Sequence, residues 1–177
     1  MTGMKKRRLK TLLSHDISLL AYHLPLDGHP LLGNNAQLAD ELGLTIKGRL
    51  EPDNPLSIGL TGCLDKPLSG EEFSQRIGVA LNREVMHIEG GPEQIMTVGW
   101  CTGAAQGYIE KAAALGLDAF ISGEISEPTV HCARELGIHY FAAGHHATER
   151  YGVQALGEHL AGKFNLEHEF IDIKNPV

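Results

Sequence analysis

The chain is poor in cysteine and has fewer basic than acidic residues. Its three cysteines, Cys63, Cys101 and Cys132, are far apart and form no CxxC pair, which argues against a disulfide framework and a zinc knuckle. We therefore expect a reducing, cytoplasmic environment. The 15 basic and 22 acidic side chains give a formal net charge of -7. This balance argues against a general nucleic-acid binder, because such binding needs clustered Lys and Arg.

The sequence also lacks a run of about 18 apolar residues, so it predicts no membrane span. The one basic run, Lys5 to Arg8, precedes an apolar stretch that is interrupted by polar residues at 14–16. No small-residue cleavage site follows, which argues against a signal peptide. The pattern is typical of a solvated helix face, and we predict a helix over 8–14.

What the sequence contains is an alternation of strand-like and helix-like segments. With 177 residues, 42% hydrophobic, the chain can form one substantial core or two small lobes. The apolar patterns predict strands at 17–22, 45–50, 57–61, 85–88, 95–100, 119–122, 140–143 and 169–173. They predict helices at 34–44 (ended by Gly43), 70–81 (capped by Ser69), 104–115, 128–136 and 148–164. This order predicts an α/β fold built from βαβ units.

One device occurs twice. His23 and Asp27 lie four residues apart after an apolar segment and before a helix, and His145 and Glu149 lie four apart in the same setting. Imidazole and carboxylate are both good ligands for divalent metals, and two such loops at one cleft could build a two-metal site. The alternatives stay open: Glu149 could favour a helix N-terminus while the histidines pack, and Asp27 could bond its own turn.

For the other candidate residues, the sequence pattern favours a structural role over a functional one. Cys101 could be a nucleophile, but a small buried residue at a tight turn is the preferred interpretation. Glu124 ends a predicted strand and could reach a cleft, but a cap for the following helix is preferred. The run from Gly157 to Lys163 imitates a phosphate loop, yet Phe164 replaces the required Ser or Thr. Four further histidines are isolated and predicted to be structural or exposed: His131, His139, His159 and His168.

Three segments together resemble a known family. They are HLPLDGHPLLGNNAQLADELG, WCTGAAQGYIEKAAALGLDAFISGE and AAGHHATERYG, in that order. They closely resemble the bacterial YbgI-type, Nif-three-like proteins known as GTP cyclohydrolase 1 type 2 homologues. The resemblance implies a two-lobed α/β fold, a ring-shaped homohexamer and a dinuclear metal centre. It implies that Asp27 and His145 are metal ligands and that Glu149 bridges the two ions. Ligands of this type do not separate Zn, Mn, Fe, Co or Ni.

The chain departs from the family at its start. The resemblance implies two further ligands, adjacent histidines from an N-terminal segment, and this chain does not contain that segment. We therefore expect an N-terminally truncated version of the fold with impaired metal binding. A breaker-rich passage at 51–55 predicts a boundary. Residues 1–52 would be the remnant of the first lobe and 53–177 the second lobe with a final helix and strand. The metal cleft would lie between the lobes.

We expect the intact protein to be a metal-dependent hydrolase of a nucleotide-like or small phosphorylated molecule. His23 or His146, each close to a ligand in the sequence, could serve as general acid or base or could support a ligand. The alternative is a non-catalytic ring protein that binds metal or a partner. Nucleic-acid binding is disfavoured by the net charge, and no membrane association is predicted.

Overall fold

A computed structural model describes all residues 1–177 and contains seven α-helices and six strands. The helices are α1 Gly3–Ser14, α2 Leu24–Asp27, α3 Asn34–Leu42, α4 Gly70–Leu81, α5 Ile109–Ala114, α6 Glu127–Leu136 and α7 His145–Phe164. The strands are β1 Thr45–Arg49, β2 Leu60–Leu68, β3 Met86–Ile88, β4 Ile95–Cys101, β5 Ala119–Ser122 and β6 His139–Ala142. The predicted α/β class is confirmed.

All six strands form one mixed sheet in the order β1-β2-β4-β5-β6-β3. The central strands β4, β5 and β6 run parallel, whereas β1, β2 and β3 pair antiparallel at the two sides. Every residue of β5 and β6 is buried. Complete burial suits parallel strands, since the helices of βαβ crossovers cover both faces of such a sheet.

Two hydrophobic clusters lie on opposite faces of the sheet. Successive side chains of a strand point to opposite faces, so Phe141 of β6 joins one cluster while Tyr140 joins the other. The first cluster contains residues of α3, α4 and α7, and the second contains residues of α5 and α6. The chain therefore has three layers, with the sheet in the middle.

The local signals at helix ends are confirmed. Ser69 caps α4 through a reciprocal capping box: its hydroxyl accepts from the Glu72 N–H, and the Glu72 carboxylate accepts from the Ser69 N–H. Gly43 ends α3 in the left-handed conformation, with φ of 62°. Helix α7 begins at His145, three residues before the predicted start, and this places His145 inside its first turn.

Several predicted elements differ from the structure. Residues 17–22 and 169–173 are not strands, and the predicted strand 57–61 is shifted to β2. Leu19 and Leu20 are 73% and 77% exposed. An apolar run becomes a strand only where a neighbouring strand pairs its backbone groups, and none lies beside these residues. The predicted helix 104–115 is a 3-10 turn, Gln106–Tyr108, followed by the short α5.

The predicted boundary at 51–55 falls in the turn between β1 and β2. These two strands pair antiparallel, so both predicted parts of this chain share one sheet. Helix α3 of the first part also contacts α7 of the second part. No helix combines the length and apolar character that crossing a bilayer requires.

Candidate functional site

The site is built around His145, the first residue of α7. Gly144 connects β6 to this helix with φ of 93°, a conformation that residues with a side chain rarely adopt. Because the helix begins at His145, Glu149 lies one turn later on the same face. His145 Nε2 is 3.1 Å from Glu149 Oε2. The structure therefore brings together this predicted pair.

Glu124 contacts the other nitrogen of the same ring. Its Oε1 lies 2.6 Å from His145 Nδ1. Glu124 follows β5 and His145 follows β6, and the carboxyl ends of these parallel strands meet at one edge of the sheet. The preference for Glu124 as a helix cap was wrong, because Ser126 caps α6. His145 is thus held between two carboxylates.

The two carboxylates control the protonation of His145. Burial of the ring opposes protonation, but the hydrogen bond that the ring donates to Glu124 and the charges of Glu149 and Glu124 outweigh it, so the pKa of His145 is raised. Burial also raises the pKa of Glu149, against the opposing effect of His145. The negative charge of Asp27 raises the pKa of Glu149 further, and His23 lowers it. Asp27 and His23 therefore lie within electrostatic range of Glu149.

Asp27 is 5% exposed and lies at the end of α2. The stretch is helical although it contains a proline, because Pro25 occupies the first turn of α2, where a missing N–H costs little. Asn34 Nδ2 donates to Asp27 Oδ1 at 2.7 Å, and Asn34 Oδ1 accepts from the Gly152 N–H at 2.8 Å. Asn34 thus ties Asp27 to α7.

Asn35 continues this buried network. Its Nδ2 donates to the Asp27 carbonyl at 3.3 Å, and its Oδ1 accepts from the Thr102 N–H at 3.1 Å. The sequence does not predict a role for either asparagine in the site, because two Asn at the start of a helix indicate only capping. Their role depends on contacts with residues that are far away in the sequence.

Gly103 forms the floor of the site. A Cβ atom at this position would lie 2.1 Å from Glu149 Oε1 and 3.1 Å from His145 Nε2, and φ is +68°. The Gly103 N–H donates to Thr148 Oγ1 at 3.2 Å, which fixes the turn against α7. Only glycine leaves room for both functional side chains.

Cys101 is fully buried beside this turn. Burial raises the pKa of its thiol to about 12, and the charges of Asp27 and Glu149 act in the same direction. The thiol is therefore protonated at neutral pH, and a thiolate is the nucleophilic form of cysteine. The prediction of a small buried residue beside the turn is confirmed, since Cys101 is the last residue of β4 and is fully buried.

His146 contacts the C-terminal segment and not the His145 ring. Its Nε2 is 2.9 Å from Asp172 Oδ1, and Arg150 Nη1 donates to Asp172 Oδ2 at 3.1 Å. The His146 N–H donates to the Val177 carbonyl at 3.0 Å. His23 precedes α2 and is exposed. The structure therefore places His146 in an ion-pair network with Asp172 and Arg150, away from the His145 ring.

The donor set fits part of a metal centre. His145 and Glu149 supply an imidazole and a carboxylate within reach of one another, and Asp27 is held close by. However, no three His, Cys, Asp or Glu side chains of this chain converge closely enough to hold an ion by themselves. A cavity of about 490 Å³ is lined by His145 and Glu149, and another of about 680 Å³ is lined by Glu124. Further ligands and a small molecule would have room beside the pair.

The chain matches known proteins along almost its whole length. The profile of the family described as Duf34/NIF3 (NGG1p interacting factor 3) matches residues 1–176. A protein of Pseudomonas aeruginosa named GTP cyclohydrolase 1 type 2 homolog is 58% identical, and the match covers 99% of this chain and 69% of that protein. A protein of Vibrio cholerae with the same name is 59% identical, with 99% and 70% covered. The solved structure of protein ybgI is 50% identical with a TM-score of 0.95, covering 100% of this chain and 70% of that one.

Proposed function

Because this chain belongs to the Duf34/NIF3 family, we propose that Asp27, His145 and Glu149 form one wall of a dinuclear metal centre in a hydrolase. The substrate class is a nucleotide-like or small phosphorylated molecule. The relatives' name, GTP cyclohydrolase 1 type 2 homolog, supports a nucleotide among the substrates to be tested. The observation that carries the proposal is the His145 ring, which is held at both nitrogens by carboxylates.

This arrangement suits a metal ligand. A ligating histidine usually donates its second ring N–H to a carboxylate, which fixes the tautomer and the direction of the free lone pair. Glu124 is placed to accept from Nδ1, leaving Nε2 beside the Glu149 carboxylate. Glu149 and His145 Nε2 would then hold the metal centre together with Asp27, and Glu124 would fix the His145 ring.

When bound, two divalent ions would lower the pKa of a water molecule between them and polarise the bond under attack. The protein's own residues provide the orientation. Asn34 holds the Asp27 carboxylate toward the site, and Gly103 leaves the space that Glu149 occupies. His23 is the candidate for proton transfer, since it directly precedes the short helix α2 that ends at Asp27. His146 is a positioning residue, since Asp172 holds its ring against the C-terminal segment.

We also propose that the protein assembles into a homohexameric ring and binds two ions of Zn, Mn, Fe, Co or Ni. Exposed apolar side chains support self-association, because monomers rarely expose large apolar patches. Those near the first helices include Leu13, Leu19, Leu20, Tyr22 and Leu31. Light scattering coupled to gel filtration would report the ring, and a monomer at all concentrations would contradict it.

The test compares metal content and turnover in matched proteins. Two parent proteins are compared: this chain and a version extended to the length of its relatives. Each is made in the natural form and with Glu149→Ala or Glu158→Ala. Glu158 lies on the same helix, is exposed and accepts one side-chain hydrogen bond, from Gln154, so it controls for loss of a carboxylate. We expect the extended protein to bind about two ions and to hydrolyse at least one member of a nucleotide panel. We expect Glu149→Ala alone to lose both properties, and equal metal content in the two variants would overturn the assignment of Glu149.

The second candidate is a non-catalytic metal-binding or partner-binding ring. It is favoured by the incomplete donor set, since no cluster of three ligands forms within this chain. Stoichiometric metal without turnover of any nucleotide or phosphorylated compound would support this candidate. Metal-dependent turnover that disappears in Glu149→Ala would exclude it.

A further inference from the structure

A second pair of histidines lies at the opposite end of β6 from His145. His87 of β3 and His139 of β6 are 52 residues apart in the sequence, yet His87 Nε2 is 3.0 Å from His139 Nδ1. His139 is 7% exposed, and His87 is half-buried. This pair shares no residue with the site described above.

The hydrogen bonds determine which nitrogen of His139 is free. Its Nε2 is 2.8 Å from the Pro92 carbonyl oxygen, and a carbonyl can only accept. Nε2 of His139 therefore carries the hydrogen, and Nδ1 presents a lone pair to His87. An imidazole whose other nitrogen donates to a backbone carbonyl is the usual state of a metal-ligating histidine.

Packing fixes both rings before any ion binds. The His87 ring stacks on Phe141 with centroids 4.4 Å apart and an interplanar angle of 7°. Gly70 of α4 lies against the pair: a Cβ atom there would be 2.5 Å from His87 Cε1 and 3.4 Å from His139 Cε1. A pre-oriented pair would lose little side-chain entropy on binding a ligand.

The surroundings favour a cation. A cavity of about 530 Å³ opens at the two rings, and none of its ten lining residues is hydrophobic. No Lys or Arg lines it, whereas three carboxylates do: Glu71, Glu89 and Glu93. The cavity therefore combines negative potential with two fixed imidazoles.

The distance between the two nitrogens fits chelation. Two imidazole nitrogens that bind one ion at 2.0–2.1 Å lie about 2.9–3.3 Å apart when the N–metal–N angle is between the square-planar and the tetrahedral value. We propose that His87 Nε2 and His139 Nδ1 chelate one divalent transition-metal ion, such as Ni²⁺, Cu²⁺ or Zn²⁺, facing the acidic cavity. No third side chain closes the cluster, so water molecules complete the coordination, and the glutamates attract the ion from solution.

In the absence of an ion, His87 Nε2 carries a hydrogen that it donates to His139 Nδ1. When the ion binds, this hydrogen moves to Nδ1 of the His87 ring, so the ring stays neutral and its Nε2 lone pair faces the ion. Burial and the neighbouring His139 lower the pKa of His87, which favours the neutral ring. Glu89 opposes this effect. Because β3 has only three residues and pairs only with β6, the ion links the edge strand to the central sheet. Binding thus stabilises the folded chain.

The decisive experiment is Ni²⁺ titration by calorimetry of four proteins. The first is the Glu149→Ala variant, which lacks the ligand proposed for the other site. The other three are double variants that combine Glu149→Ala with His87→Gln, His139→Gln or His131→Gln. His131 is exposed and serves as the control. We expect one ion per chain with Glu149→Ala alone and with the control, and no specific binding with His87→Gln or His139→Gln. Equal binding by all four proteins overturns the inference and leaves the dinuclear-site proposal unaffected.

A second measurement needs no substitution at the buried position. Electron paramagnetic resonance of one equivalent of Cu²⁺ on the Glu149→Ala chain should show two coordinated imidazole nitrogens. The melting temperature should rise with Ni²⁺ in this protein and not after His87→Gln. If His139→Gln fails to fold, the proposal is tested by Ni²⁺ binding to His87→Gln, whose substituted residue is only half-buried, and by the Cu²⁺ spectrum. A spectrum with no or one nitrogen contradicts chelation.

Discussion

Glu124 Oε1 lies 2.6 Å from His145 Nδ1, although 21 residues separate them in the sequence. The contact exists because β5 and β6 are parallel neighbours, so the residues that follow them meet at one edge of the sheet. It orients the ring whose other nitrogen faces Glu149. The side chain that orients the first histidine of the motif HHATE therefore comes from the segment after another strand, β5.

Replacing Glu124 tests this relationship. In Glu124→Gln the negative charge is lost, so the pKa of His145 should fall, since Glu124 contributes to raising it. Metal affinity at the proposed centre should fall about 10–100-fold, as is usual when the partner of a ligating histidine is removed. Imidazole NMR titration and calorimetry measure the two effects. Glu135→Gln, at an exposed position of α6, is the control, and identical behaviour of the two variants would refute the orienting role.

Gly103→Ala should disrupt the site and the fold together. The substitution adds a left-handed backbone penalty of about 1–2 kcal/mol and a Cβ atom 2.1 Å from Glu149 Oε1. Gly116→Ala separates the two effects, because Gly116 has φ of +71° and nothing within 4 Å. In urea unfolding, the decrease in the free energy of unfolding should be about 1–3 kcal/mol larger for Gly103→Ala than for Gly116→Ala. Similar losses would mean that the Glu149 side chain moves aside without cost.

Asn34→Ala should destabilise the chain by about 1–3 kcal/mol, because it leaves buried partners on Asp27 and Gly152 unsatisfied. Asp27 should also lose its fixed position, which weakens metal binding in the extended protein. Asp40→Ala, on the exposed part of the same helix, is the control. Chemical denaturation checks the stability, and a loss no larger than that of the control would contradict a structural role for Asn34.

Ser69→Ala should remove the capping box of α4 and cost about 0.5–2 kcal/mol. The matched control is Thr2→Ala, because Thr2 precedes α1 without a side-chain capping bond, and α1 buries no residue. Thermal unfolding, followed by circular dichroism, should show a lower melting temperature for Ser69→Ala and an unchanged one for Thr2→Ala. An equal shift in the two variants would show that the cap contributes nothing.

Stability should depend on pH through His87. The folded-state pKa of His87 is lowered by burial and by His139, so the unfolded chain binds more protons as the pH falls. The contribution of His87 is therefore present above about pH 6.5, the unfolded value, and is lost as the pH falls toward the folded-state pKa. Urea unfolding between pH 5 and pH 8 with a chelator present measures this slope. His87→Gln should flatten it, whereas His131→Gln should leave it unchanged.

The sequence alone determined the features that depend on neighbours along the chain. Ser69 and Glu72 form their box within one turn, and Gly43 ends α3 because it tolerates a positive φ. The apolar runs of β5 and β6 predict strands, and the four-residue spacing of His145 and Glu149 pairs them once the helix begins at His145. These interactions are local, so periodicity and capping chemistry predict them.

Only the tertiary structure decided which distant residues complete each site. Glu124 reaches His145, and His87 reaches His139, because strands that are far apart in the sequence pair in the sheet. The apolar run 17–22 shows the converse, since its sequence favours a strand but no partner strand lies beside it. Strand pairing is a long-range choice that a local pattern does not contain, and the chemistry of both sites follows from that choice.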